Sequence, residues 1–240
     1  MASPLSTLPS IKTFLCVAPH PDDAELGMGG TLVTLARQGH DVVICDLTNG
    51  EPTPKGSPEI REREWTRATE LLNEGLEKPI RRHNLGLRNR ELLHDIPSRH
   101  ALAALIREVR PDVVFYPYYP DAHPDHIAAH KIAIDARFDA KLTKSPIPGE
   151  PHHPKRIIQY FCTHLRTDIV PTFCIDVTDA WPTKKAACQA YESQGIADDE
   201  GLWPYVETMH RYHGHRSGVG FAEPFFSDEV IGLSGLSELV

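Results

Sequence analysis

Three short apolar runs, FLCVA (Phe14–Ala18), VVICDL (Val42–Leu47) and DVVFY (Asp112–Tyr116), are each followed by a segment whose apolar residues recur at helical spacing. Apolar runs of this length without polar alternation suit strands buried on both faces, and such strands belong to parallel sheets. Parallel neighbours need a crossover connection, which the intervening helices supply. This order constrains the chain to an α/β fold, Rossmann-like, with three α/β/α layers and a mostly parallel sheet.

Signals at the segment ends place the helices. Ala24–Gln38 carries Leu26, Leu32, Val33, Leu35 and Ala36 and stops at Gly39. Pro58–Asn73 follows Ser57, an N-cap residue with Pro at the first helical position. Ser98–Val109 ends before Pro111, and Pro124–Phe138 is the next helix. Ile80–Leu87 is a short segment between them. Lys144–Pro154, rich in Pro and His, is a loop or insertion. Beyond it, Ile157–Cys162 and Phe173–Val177 read as strands, and Asp179–Ser193 and Val206–His215 as helices; Ile196–Tyr205 has no clear period. With 240 residues and no internal repeat, the reading is one domain, 1–240, with an elaborated C-terminal third, 145–240.

The formal net charge is −8 and no block of Lys and Arg stands out. That excludes a basic face for nucleic acid or for an anionic membrane surface. No apolar run approaches the roughly 20 residues of a membrane helix, and the first residues lack a signal-peptide pattern. A cytoplasmic location is the resulting expectation. The five cysteines are odd in number, with no C-x-x-C spacing, as expected for reduced thiols.

Two motifs carry the chemistry. Pro19-His20-Pro21-Asp22-Asp23 directly follows the first strand, and His123-Pro124-Asp125-His126 follows DVVFY. Loops at the C-terminal ends of parallel strands converge on one crevice, so the two motifs are predicted to meet there. Histidine and carboxylate side chains suit zinc, which in catalytic sites takes three protein ligands and keeps one position for water. The plainer alternative is that Asp22 or Asp23 caps the helix beginning near Ala24.

The run APHPDDAELGMGGTL, with HPDH after a later strand, resembles the PIG-L/LmbE-like zinc N-deacetylases. NGEPTPKGSPEIREREWTRA, NLGLRNREL, PDVVFYPYYPDAHPDHIAAH, HHPKRIIQY and GVGFAEPF extend the similarity over residues 12 to 226, towards the branch acting on N-acetylglucosaminyl-malate in bacillithiol synthesis. The resemblance implies His20, Asp23 and His126 as ligands of Zn2+, with Fe2+ as the alternative metal. It implies Asp22 as general base and His123, in cationic form, as the group stabilising the oxyanion or protonating the amine. It further implies Asp125 as the partner orienting a histidine, and Arg61 as a substrate contact. The implied substrate is a small amino sugar, and the implied assembly a homo-oligomer, trimer or hexamer. Thiol conjugates and chitin-type disaccharides are alternative substrates.

Other residues invite competing readings. Gly27, Gly29 and Gly30 lie inside the helical pattern, where close helix–sheet packing suits them better than the dinucleotide fingerprint of a nucleotide-binding module. His152, His153, His210, His213 and His215 suggest a second metal or, more plainly, solvated histidines, with substrate contact open for His153 and Arg156. Ser217, Gly218 and Glu223 could line the site or a subunit contact. The 144–154 loop and the 194–205 region are places where substrate preference could be set.

Overall fold

A computed structural model describes residues 11–196 and 201–232. Seven strands form one sheet: β1 (Thr13–Ala18), β2 (Asp41–Thr48), β3 (Arg81–Leu87), β4 (Val113–Pro117), β5 (Arg156–Tyr160), β6 (Phe173–Asp176) and β7 (Ala222–Phe226). Their order is β3-β2-β1-β4-β5-β7-β6. The first five pair in parallel, and β7 runs antiparallel to both β5 and β6. The helices are α1 (Asp23–Arg37), α2 (Pro58–Leu72), α3 (Ile96–Val109), α4 (Pro124–Ala140), α5 (Trp181–Gln189) and α6 (Trp203–Ser217).

Period-two alternation along the strands divides the core. Leu15 and Val17 of β1, with Val43, Cys45 and Leu47 of β2, face α3 and α4. Cys16, Ala18, Val42 and Ile44 face the opposite layer, which α1, α2, α5 and α6 build around Met28, Leu72, Trp181 and Trp203. The three-layer α/β/α architecture is therefore the one expected from the sequence.

The chain winds outward from β1 in one direction to β2 and β3, and in the other to β4 and β5. The switch point between β1 and β4 opens a crevice at their C-terminal ends, and both His/Asp motifs begin there.

The C-terminal third departs from the sequence reading in detail. The expected helix over Asp179–Ser193 is split into a 3-10 turn at Thr178–Ala180, α5, and a second turn at Glu192–Gln194. Pro182 sits in the first turn of α5, where its missing N–H costs nothing. β5 stops at Tyr160, and Cys162 leaves the sheet. Residues 197–200 of the unassigned 196–205 stretch lie outside the described residues. The Lys144–Pro154 loop enters β5 from the strands' N-terminal end, opposite the crevice. Buried Arg107 pins it, donating to the carbonyls of Leu142, Ile147 and Gly149. This loop therefore lies away from the site it was expected to tune.

The glycines of α1 are packing residues. A Cβ on Gly30 would sit 2.6 Å from Cβ of Val177, and one on Gly27 would sit 2.8 Å from Cε2 of Tyr160. Tyr160 cannot retreat, because it is fully buried and its hydroxyl donates to the Val17 carbonyl. Gly27→Ala should lower stability by about 1–3 kcal/mol through overpacking, measured as a shift in the urea midpoint. An unchanged midpoint would show that α1 can move off the sheet.

Candidate active site

The turn after β1 is tied to β2, where Thr48 donates from both its N–H and Oγ1 to the Pro19 carbonyl at 3.2 and 3.0 Å. The His20 N–H donates to Oδ2 of Asp23 at 2.9 Å, closing the turn. Asp22 adopts φ 124°, a region a non-glycine residue rarely enters, and its side chain makes no cap bond to α1. The capping alternative for Asp22 therefore fails. Across the crevice, Asp121, His123, Asp125 and His126 surround the first turn of α4.

The two motifs meet. Nδ1 of His20 lies 3.1 Å, and Nε2 of His126 3.3 Å, from Oδ2 of Asp23. The other nitrogen of each ring is held by a buried carboxylate. His20 Nε2–H donates to Asp125 at 3.1 Å, and His126 Nδ1–H donates to Asp121 at 2.9 Å. A carboxylate behind each imidazole fixes its tautomer and aims its lone pair inward, as metal sites require. Nε2 of His126 is fully buried and has no hydrogen-bond partner. The three inward atoms lie within 4.8 Å of one another, so His20, Asp23 and His126 fit a divalent cation.

The charges agree with this geometry. Burial favours neutral rings, but Asp125 and Asp23 outweigh it and raise His20 to about 9. Burial is likewise outweighed at His126, where Asp23 and Asp121 raise the pKa to about 10. Against its own burial, Asp23 is held well below the usual carboxylate range by the two histidines. Such a cluster holds protons when it lacks a cation, and a metal would displace them. Two carboxylates at the start of α1 also repel phosphate, which removes the nucleotide-binding reading.

Asp22 stands beside this group. Burial, with the charge of Asp23, pushes its pKa up to about 6, while Arg61 opposes the rise. Arg61 is buried; its Nη2 donates to the Pro21 carbonyl and to Asp22 at 3.2 Å. Gly50, at φ 76°, leaves room for it, since a Cβ there would meet Nη2 at 2.7 Å. Arg61 thus reaches the crevice by way of Asp22, and its Nε and Nη1 are left without hydrogen-bond partners.

His123 lies 4.8 Å from His20, ring centroid to centroid. Its Nδ1 caps α4 by accepting from the Asp125 N–H at 3.1 Å. Burial and the positive charges of His20 and His126 push its pKa down to about 4. In the metal-free cluster this disfavours the cationic form expected from the sequence, and with Nδ1 accepting from the Asp125 N–H, His123 offers an Nε2–H.

A cavity of 790 Å³ opens above these groups, lined also by Thr53, Asn89, Cys162, His164 and Tyr205. Five of the site's residues were not singled out from the sequence. Asp121 could have been found, standing five residues before His126 in the same motif. Asn89 is nine-tenths buried with Oδ1 unpartnered, and it follows β3, whose polar sequence resembles a loop. Next to it, Arg90 at φ 65° donates its N–H to Asp125 at 2.6 Å. The Cys162 thiol donates to Oδ1 of Asp23 at 3.3 Å, and His164 Nδ1 lies 3.4 Å from Asp121. Only folding brings these last two to the site.

Residues 15–137 match the PIG-L family, described as GlcNAc-PI de-N-acetylase. The chain belongs to this family. It is 33% identical to diacetylchitobiose deacetylase of Thermococcus kodakarensis, over 89% of this chain and 82% of that protein. It is 30% identical to the probable N-acetyl-alpha-D-glucosaminyl L-malate deacetylase 2 of Bacillus anthracis, over 75% and 80%. The crystal structure of the conserved protein TT1542 from Thermus thermophilus superposes with a TM-score of 0.83, at 39% identity, covering 93% of this chain and 98% of that one.

The remaining sequence candidates lie elsewhere. The solvated reading of the histidines is corrected at His210 and His213, which are buried on α6. His152 Nε2–H donates to the Pro111 carbonyl. None of these belongs to a metal-ligating group among the described residues. Glu223 is fully buried, which removes it from both the site lining and a subunit contact. Gly218 ends α6 at φ 77°. Among the described residues, no helix is long and apolar enough to cross a membrane.

Proposed function

We propose that this member of the PIG-L family is a zinc-dependent N-deacetylase that hydrolyses the acetamide of a GlcNAc glycoside. One observation carries the reading: His20, Asp23 and His126 aim three ligand atoms at one point, each histidine backed by a carboxylate, with Asp22 beside them. Zinc bound by these three residues would polarise the amide carbonyl and make water a nucleophile near neutral pH. Asp22 takes the proton of the attacking water, and Arg61 holds the Asp22 carboxylate in place. The Nε2–H of His123 donates to the oxygen on which negative charge develops. Asp22 then returns the proton to the departing nitrogen, and acetate and the free amine leave. Asn89, whose buried Oδ1 has no hydrogen-bond partner, and Arg61, which lines the cavity, would meet the sugar hydroxyls.

The relatives support three aglycones, a second amino sugar, malate and myo-inositol. The test is acetate release from N-acetylglucosaminyl-malate, N,N'-diacetylchitobiose, the N-acetylglucosaminyl glycoside of myo-inositol and an N-acetylated thiol conjugate, with metal analysis of the purified protein. Release from at least one of the three glycosides with one zinc per chain is the expected result, and the largest kcat/KM names the aglycone. Iron at full occupancy after anaerobic purification would replace zinc in the proposal. No release from any of the three glycosides would end it.

A further inference from the structure

Helix α1 is broken once, at Met28, whose φ of −148° and ψ of 23° are not helical. In an unbroken helix the Gly30 N–H would donate to the Leu26 carbonyl. Here it donates to Oε1 of Glu223 at 2.9 Å, and the Thr31 N–H donates to Oε2 at 2.7 Å. The Leu26 carbonyl accepts instead from Nζ of Lys184 at 2.8 Å, and Nζ also donates to Glu223 at 2.6 Å. The ion pair is thus inserted into a single helical hydrogen bond, with its cation on the acceptor and its anion on the donor. The third Lys184 proton goes to Nε2 of His210 at 2.8 Å, and His210 Nδ1–H donates to the Val206 carbonyl. Lys184 and Glu223 are both fully buried. A buried ion pair is a weak source of stability compared with apolar packing, so its presence asks for another reason.

The segment ahead of the break supplies that reason. The Leu26 N–H donates to the Asp22 carbonyl at 2.9 Å, so hydrogen bonds run from α5 through Leu26 to the strained Asp22. Asp23 rides on the same turn. We propose that Lys184 and Glu223 are positioning residues: by holding α1 open at Met28, they set the tilt of its first turn and thereby place Asp22 and Asp23 against His20 and His126. The inference rests on reading that turn as the base and metal ligand of a deacetylase. It gives Lys184 of α5 and Glu223 of β7 a part in catalysis without contact to substrate.

The test uses the full chain and the double variant Lys184→Met/Glu223→Gln, which removes both charges at nearly constant volume. Zinc affinity is read by competition with a chromophoric chelator, kcat and KM by acetate release, and folding by circular dichroism. The folded double variant should bind zinc about ten-fold more weakly and lose kcat with little change in KM. Amide exchange in the wild type should be as slow at Gly30 and Thr31 as in the sheet. A folded double variant with wild-type zinc affinity and kcat would overturn the proposal, as would fast exchange at those two amides. Should the double variant not fold, Glu223→Gln alone, which keeps one acceptor, carries the same readouts. Wild-type protein that binds no zinc would instead sink the functional reading, leaving the exchange rates to judge the helix break.

Discussion

Asp22→Asn should lower kcat by about 10²–10⁴-fold, the usual contribution of a positioned general base, while zinc content and melting temperature stay close to wild type. The amide is isosteric with the carboxylate and its oxygen can still accept from Arg61, so the turn should keep its shape. What it loses is the ability to take a proton. The surroundings of Asp22 tune it for proton transfer, since burial and the neighbouring Asp23 lift its pKa to about 6, while Arg61 limits the rise. A base whose pKa lies near the working pH combines availability with driving force. The backbone supports the same conclusion, because holding a non-glycine residue at φ 124° costs about 1–3 kcal/mol. Glycine would avoid that cost but carries no carboxylate. Steady-state acetate release, with metal analysis of the same sample, checks the prediction. A D22N enzyme within about three-fold of wild type would assign the base elsewhere.

Removing the metal should abolish hydrolysis, and adding zinc should restore it. The apo cluster should persist as a protonated one, since His20 and His126 are both raised above neutral pH by the carboxylates around them. Zinc uptake should therefore release protons, detectable in weakly buffered solution. With free zinc at about 1,000 times its Kd, binding stabilises the fold by about 4 kcal/mol. For a domain of this size each kcal/mol moves Tm by about 2–4 °C, so stripping should lower Tm by about 8–16 °C. Asp121→Asn, which weakens the hydrogen bond behind His126, should cost about 10–100-fold in zinc affinity. Calorimetric scans with and without chelator, with zinc titration of the D121N protein, provide the measurements. Full activity in metal-free protein would refute the chemistry proposed for this site.

Much of this was legible in the chain itself. The apolar runs of β1, β2 and β4 could only be buried strands, and the segments between them could only cross over, so the parallel sheet and its crevice followed from local pattern. The two motifs stood at strand ends, which located the group that could hold a metal. Arg61 was visible as a residue of the site, but not its engagement with Asp22. Asn89 stood inside NLGLRNREL, a segment that resembles the family but singled out no residue, while Cys162 and His164 carried no signal, because a lone polar residue beyond a strand looks the same whether it faces water or a cleft.

The amino-acid order, through periodicity and turn chemistry, determined which segments pair and which ends carry ligands, since these depend on neighbours within a few positions. Tertiary structure alone decided the surroundings of His123, the strain at Asp22 and the insertion of Lys184 and Glu223 into α1. Each of these arises from groups distant in the chain, as far as 193 residues for Gly30 and Glu223, brought together in a low-dielectric interior. There a small change in separation sets a charge's energy. Local sequence pattern holds no record of such distances.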